Sequence, residues 1–288
     1  MSNNNKPLIP RKPEWLKIKI PKAHAHKHVN GLVISKRLHT ICESGSCPNA
    51  GDCWERGTAT FMILGDICTR SCKFCNVKTG KPLPVDNNEP LMVAESVKEL
   101  NLKHCVITSV DRDDLPDGGA GIWVETIKEI KKLNPKTTIE VLIPDFDARE
   151  ELIQLIIDSK PEVISHNLET VERLTPEVRS RAKYKTSLKV LKQIADSGIV
   201  AKSGIMLGLG EKEEEIIKTM DDLRSVNCKV MTIGQYLQPT RSHYPVKEYV
   251  HPDKFAEYKK IGLQKGFSYV ESSPLVRSSY KADAHVNA

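Results

Sequence analysis

From residue 60 onward the chain alternates short apolar, β-branched runs with longer stretches whose apolar residues recur at helical spacing. The runs at 60–65, 105–110, 138–143, 163–167, 200–207 and 230–236 read as strands. Residues 90–101, 121–133, 148–159, 186–197 and 212–226 read as the helices between them, and 252–265 as a helix after the last strand. Pro135, Pro161, Gly198 and Asn227 punctuate element ends. In the 212–226 stretch, Ile216, Ile217, Met220 and Leu223 share a face, and Glu213, Glu214 and Glu215 load the N-terminal turn. Strands alternating with helices imply a parallel sheet with helical crossovers. Six strands rather than eight predict an incomplete (β/α)6 barrel with chemistry at the C-terminal strand ends. Polar residues gather there: Ser109 and Asp111, Asp145, His166 with Asn167 and Glu169, then Gln235 and Gln238. The fifth strand runs into Gly204, Gly208 and Gly210, glycines that let backbone approach a flat ligand. Upstream, residues 1–20 read as an extended proline-punctuated arm. His24, His26 and His28, spaced by two, would share one face of a strand, but read as a solvated surface segment, and Ile34 to Leu38 read as a short helical turn.

The composition fits this picture. The chain has 288 residues, 39% hydrophobic and 28% charged, with a mean hydropathy of −0.37. That is enough for one substantial core and for a soluble protein. No apolar run is long enough to span a bilayer. The polar N-terminus has no apolar segment of the secretory kind, so a reducing compartment, the cytoplasm, is expected. It lacks acids before Glu14, as transit peptides do, but not in their Ser/Arg-rich amphipathic pattern. In a reducing compartment clustered cysteines bind metal or do redox chemistry rather than form structural disulfides. The net charge of +6 is spread along the chain, which suits an acidic protein partner at least as well as nucleic acid.

Six of the eight cysteines fall within residues 42–75, in two triplets of different spacing. Cys42, Cys47 and Cys53 form the first; Cys68, Cys72 and Cys75 form the second, in the loop after the first strand. Three ligands are one short of a closed zinc site or a fully protein-ligated iron–sulfur cluster. A set of three leaves one metal open to substrate or takes its fourth ligand from elsewhere. From the cysteines alone, a zinc site or a redox dithiol is the rival reading. Cys105 and Cys228 sit at predicted strands and read as core.

The second triplet, Cys68-Thr-Arg-Ser-Cys72-Lys-Phe74-Cys75, resembles the signature of the radical S-adenosylmethionine superfamily. The first, Cys42-Glu-Ser-Gly-Ser-Cys47-Pro-Asn-Ala-Gly-Asp-Cys53, resembles the auxiliary-cluster motif of the lipoyl synthase family. The segment Trp54 to Cys68 and the C-terminal Arg277-Ser278-Ser279-Tyr280 match that family too. So do the stretch Asp111 to Ala120, Ser165-His-Asn-Leu-Glu169 and Gln238-Pro-Thr240, so that the likeness covers residues 30–284. It implies a partial barrel over 56–265. Around it lie an N-terminal extension (1–55) with the auxiliary cysteines and a C-terminal segment (266–288) with the Arg-Ser-Ser-Tyr motif. It implies two [4Fe–4S] clusters and S-adenosylmethionine, with Cys68, Cys72 and Cys75 on one cluster and Cys42, Cys47 and Cys53 on the other. A serine of the motif completes the second set: Ser279 by position, Ser278 as the alternative. Arg277 would position that segment. Phe74, Gly204, Leu237 and Gln238 would shape the adenine pocket, Asn167 and Glu169 would meet the ribose or amino group, and Ser109 and Arg173 the methionine part. The implied reaction is sulfur insertion at carbons 6 and 8 of an octanoyl chain on H protein or a lipoyl domain of a 2-oxoacid dehydrogenase. A ferredoxin- or flavodoxin-type electron donor and iron–sulfur assembly factors are the other implied partners. Nucleic acid and membrane are not expected, and the chain is expected to be a monomer. Biotin synthase-like or methylthiotransferase-like sulfur insertion, or a non-enzymatic cluster scaffold, are the competing readings.

Overall fold

In the computed structural model, residues 11–17, 31, 36, 38–45, 47–55, 58–286 and 288 are described. The histidines at 24, 26 and 28, and residues 34, 35 and 37 of the expected 34–38 turn, lie outside these residues. All six expected strands and all six expected helices form, with ends shifted by a few residues. The strands are β2 (Thr58–Ile63), β5 (His104–Ser109), β6 (Thr138–Leu142), β7 (Val163–Ser165), β8 (Val200–Leu207) and β9 (Val230–Gln235).

They lie side by side in chain order, all parallel, in a sheet of eight. The two extra strands extend its margins. β1 (His39–Thr40) pairs antiparallel with β2, and β10 (Tyr269–Ser272) pairs parallel with β9. No pairing joins β1 to β10 among the described residues, so the barrel is open. A further two-stranded sheet, β3 (Ile67–Cys68) with β4 (Lys78–Thr79), ties together the two ends of the second cysteine loop.

Strand alternation separates two environments. On β2, β5 and β6 the odd-numbered Phe61, Ile63, Ile107, Ile139 and Val141 are fully buried in one apolar cluster with helical side chains such as Trp123, Ile127 and Ile130. The even-numbered Thr60, Met62, Thr108, Glu140 and Leu142 line the barrel interior. That interior is polar at its depth. Lys202 Nζ lies 2.6 Å from Glu140 Oε1, with neither side chain exposed, and Ser165 donates to the same oxygen at 2.9 Å. In the helix Glu213–Ser225, Thr219 rather than Ile217 is buried beside Ile216, Met220 and Leu223. Cys105 and Cys228 are fully buried, as expected.

One buried acid makes stability depend on pH. Glu89, 7% exposed, accepts the Leu64 N–H at 2.7 Å, at a residue of positive φ (69°). Burial raises its pKa from 4.5 to about 7. A carboxyl raised in the folded state favours the protonated form. Its contribution is therefore largest below the unfolded value and is lost as pH rises toward 7. Glu89→Gln, which mimics the neutral form, should be the more stable protein at pH 8 by about 2–3 kcal/mol, the difference closing near pH 4. Urea titrations at the two pH values measure this; equal differences at both would refute it.

Candidate functional site

The C-terminal strand ends open into a cavity of about 520 Å³. Cys68, Cys72 and Cys75 line it, and so do Cys42 and Cys47. The polar strand-end residues singled out in the sequence all reach its wall: Ser109, Asp111, Asp145, His166, Asn167, Glu169, Gln235 and Gln238. Phe74, Gly204, Leu237, Arg277, Ser278 and Ser279 line it as well.

The second cysteine loop is pinned on several sides. Gly80 N–H bonds to Cys68 O at 3.0 Å, Lys73 N–H to Val178 O at 2.9 Å, and Tyr244 N–H to Lys73 O at 2.8 Å. The Cys75 carbonyl lies 3.0 Å from His243 Nε2. Arg70, between Cys68 and Cys72 and 7% exposed, anchors the loop to the strand ends. Its guanidinium meets Asp113 through two bonds of 2.8 Å, Asp145 at 2.9 Å and Asp111 at 3.3 Å. Sulfur Sγ of Cys68 accepts N–H groups from Arg70 (3.4 Å) and Asp111 (3.3 Å).

The chemistry of this donor set fits a cationic metal core. Burial, then the Asp111 carboxylate, pushes the Cys68 thiol up to about 11; burial, then the Cys72 and Cys68 thiols, pushes Cys75 up to about 12. Thiolates so placed are stabilised by bound metal, which exchanges for their protons. Each thiolate of a cluster takes its own iron, so the set need not converge on one point; among the described residues no three His, Cys, Asp or Glu side chains form a single-ion site.

The first triplet is built the same way. Cys42 and Cys53 are buried, and Cys47 N–H bonds to Cys42 O at 2.9 Å. Burial, then the neighbouring Cys47, raises Cys42 to about 12. Arg277 acts on this set from the C-terminal segment: burial raises the Cys47 pKa and the guanidinium works against it. Asn49, between Cys47 and Cys53, donates to Leu275 O at 2.6 Å and so joins the triplet to the same segment.

The ligand side of the cavity is shaped by backbone. A Cβ on Gly204 would strike Thr232 Oγ1 and Asn167 Oδ1, and one on Gly234 would strike the Val276 carbonyl. Gly208 has a φ of +96°, and the space beside it holds Gln235 and the Glu248 carbonyl, so that glycine serves the loop rather than a ligand. Glu169 has a φ of 66°, held by N–H to Gly204 O and by Met206 N–H to its own carbonyl. Burial raises its pKa, and Arg179 opposes that. Asn167 donates to Ser278 Oγ at 2.7 Å, while its Oδ1 is buried without a partner. The Ser109 hydroxyl is likewise buried and unpartnered.

Arg173 is a correction. It lies outside the cavity, half-exposed, bonded to both Glu215 oxygens (2.7 and 2.8 Å) and to Gly210 O. The short helical turn Glu172–Leu174 faces it toward the helix Glu213–Ser225. Arg179 takes the inner position, 2.9 Å from Ser187 Oγ. Sequence reasoning missed Arg70, Arg179, Glu140 and Thr232. A charge inside an apolar strand run is the signal that Glu140 carried.

Residues 62–223 match the radical SAM superfamily model. Lipoyl synthase of Treponema denticola is 64% identical over 276 residues, covering 96% of this chain and 95% of that one. The chain belongs to the lipoyl synthase family. Lipoyl synthase of Phocaeicola vulgatus is 63% identical over the same length, covering 96% and 97%. Among solved structures, methylornithine synthase superposes with a TM-score of 0.56 at 12% identity, covering 89% of this chain and 88% of that one. The hydrogenase maturase HydG of Carboxydothermus hydrogenoformans gives 0.57 at 13%, covering 92% and 77%. These two show the shared fold. Membership makes the chain a radical S-adenosylmethionine sulfurtransferase, with a [4Fe–4S] cluster and S-adenosylmethionine as cofactors.

Proposed function

We propose that the chain converts a protein-bound octanoyl group into a lipoyl group, inserting sulfur at carbons 6 and 8, with a second [4Fe–4S] cluster as the sulfur source. The observation that carries this is one cavity lined by Cys68, Cys72 and Cys75, by Cys42 and Cys47 of the other triplet, and by Ser278 and Ser279. Cys68, Cys72 and Cys75 hold the first cluster, and Arg70 with its aspartates fixes their loop. Asn167, Glu169, Gly204, Phe74, Leu237, Gln238 and Ser109 bind S-adenosylmethionine. Bound there, the cofactors would supply the radical chemistry needed at carbons which no acid or base can activate. Met62, Leu142, Met206 and Val276 give the wall an apolar part for an alkyl chain and exclude water from it. Cys42, Cys47, Cys53 and Ser279 hold the second cluster. A serine oxygen is a hard ligand beside soft thiolates, suited to an iron that must be released. Octanoylated H protein or a lipoyl domain presents the substrate lysine. A ferredoxin- or flavodoxin-type protein delivers electrons, and iron–sulfur assembly factors rebuild the consumed cluster.

Anaerobic reconstitution should give about eight irons per chain, two clusters of the four-iron type. Mass spectrometry of an octanoyl-lysine peptide after turnover should then show addition of two sulfurs. Four irons, or a peptide that is never thiolated while S-adenosylmethionine is cleaved, would sink the proposal.

A further inference from the structure

The segment after β10 runs against both margins of the open barrel. Leu275 is held by Asn49 and Ser278 by Asn167. Tyr280 packs on the apolar cluster that contains Cys42, Cys53 and Trp54, and Lys281 bonds to Glu271 at 3.1 Å. The segment then enters a short 3-10 helix, Ala282–His285, in which Ala282 and His285 are fully buried. The imidazole of His285 reaches the charged interior. Its Nδ1 stands 3.9 Å from Glu140 Oε2, and its ring centroid is 4.7 Å from that of Tyr269. Glu140 Oε1 is already taken by Lys202 and Ser165, while Oε2 has no hydrogen bond.

We infer that the Glu140–Lys202 pair is an anchor point for the C-terminal segment, and that His285 is a positioning residue that fixes where Ser279 stands. This rests on the proposed role of Ser279. A buried ion pair is weak evidence for stability, but a buried polar contact can select one arrangement of packed elements. Here the pair leaves one carboxylate oxygen facing the place where the imidazole enters. The link to the site is short. Ser279 precedes His285 by six residues, and the Ser279 carbonyl accepts the Ala282 N–H at 3.3 Å at the start of the 3-10 helix. Lys281 between them holds a left-handed conformation (φ 53°), so the turn has one geometry. A segment that loses His285 keeps its upper ties, to Asn49 and Asn167, and loses its register below them.

The test uses the full chain carrying His285→Ala, with His285→Gln as the conservative variant. In the protein stripped of metal, amide exchange across residues 277–282 should quicken by about tenfold in His285→Ala, while strand amides of β5 and β8 stay protected. His285→Gln should recover part of that protection. In the reconstituted protein, His285→Ala should fall from about eight to about four retained irons after desalting, with S-adenosylmethionine cleavage kept. Unchanged exchange across 277–282, or an equal rise across the whole sheet, overturns the inference. Failure of the underlying role is separate: Ser279→Ala that retains the second cluster would remove the ligand assignment, and the metal-free exchange result would stand by itself.

Discussion

Cys68→Ala should abolish S-adenosylmethionine cleavage, whereas Cys42→Ala should keep part of the cleavage and lose sulfur insertion. The asymmetry follows from where the two triplets sit. Cys68 ends β3, in the loop gripped by the β3–β4 pair, by His243 and by Arg70, and it lines the same cavity as Asn167, Glu169 and Gly204. Removing one of three thiolates leaves a four-iron cluster with two protein ligands beside the cofactor pocket. Cys42 belongs to the short helix Ile41–Ser44, which packs on β1 and β2, and its triplet is joined through Asn49 to the C-terminal segment rather than to the clamps of the Cys68 loop. Release of 5′-deoxyadenosine under strong reductant, measured with octanoyl peptide present, separates the two reactions. If both variants lose cleavage equally, the division between the triplets is wrong.

Arg70→Leu should cost about 3–5 kcal/mol of stability, the scale expected when one partner of a buried charge set is removed. The side chain is 5% exposed, and Asp145, 1% exposed, would be left in the interior without its guanidinium. Asp111 is already pushed up to about 6 by burial, with Arg70 holding it down. Arg70→Lys should retain part of the loss, because an ammonium replaces the charge but not the two-pronged bond to Asp113. Denaturant titration reads both. A change below 1 kcal/mol for the leucine variant would show that the carboxylates find other partners.

How much of this was legible depended on which face of each strand carried the signal. Outer-face residues such as Phe61, Ile107 and Val141 meet helices and are apolar, so the strands that own them stood out. β10 was missed because its inner residues, Tyr269 and Glu271, face the polar side, and only Val270 announces a strand. β1 is two residues long and has no pattern to show. The cysteine spacings pointed to chemistry without three-dimensional information, since the cysteines of each triplet lie close in the chain. Arg70 could not be ranked this way: its partners Asp111, Asp113 and Asp145 come from later loops. Arg173 and Arg179 lie in one connecting stretch, and only the intervening turn decides which points inward.

The Asn49–Leu275 bond joins residues separated by 226 positions. A chain made from its N-terminus exposes Cys42, Cys47 and Cys53 long before the segment with Ser278 and Ser279 exists. At ribosomal speeds of about 5–20 residues per second the interval is about 10–45 s. The loop from Cys68 to Cys75 also waits for its clamps, Val178 and His243, though for a shorter stretch of chain. On the proposed assignment the two metal centres would therefore become able to form in a fixed sequence, the one at Cys68 first. Loading of the proposed centre at Cys42 would be an event for the finished polypeptide, and until then its thiols would be open to oxidation or to the wrong metal.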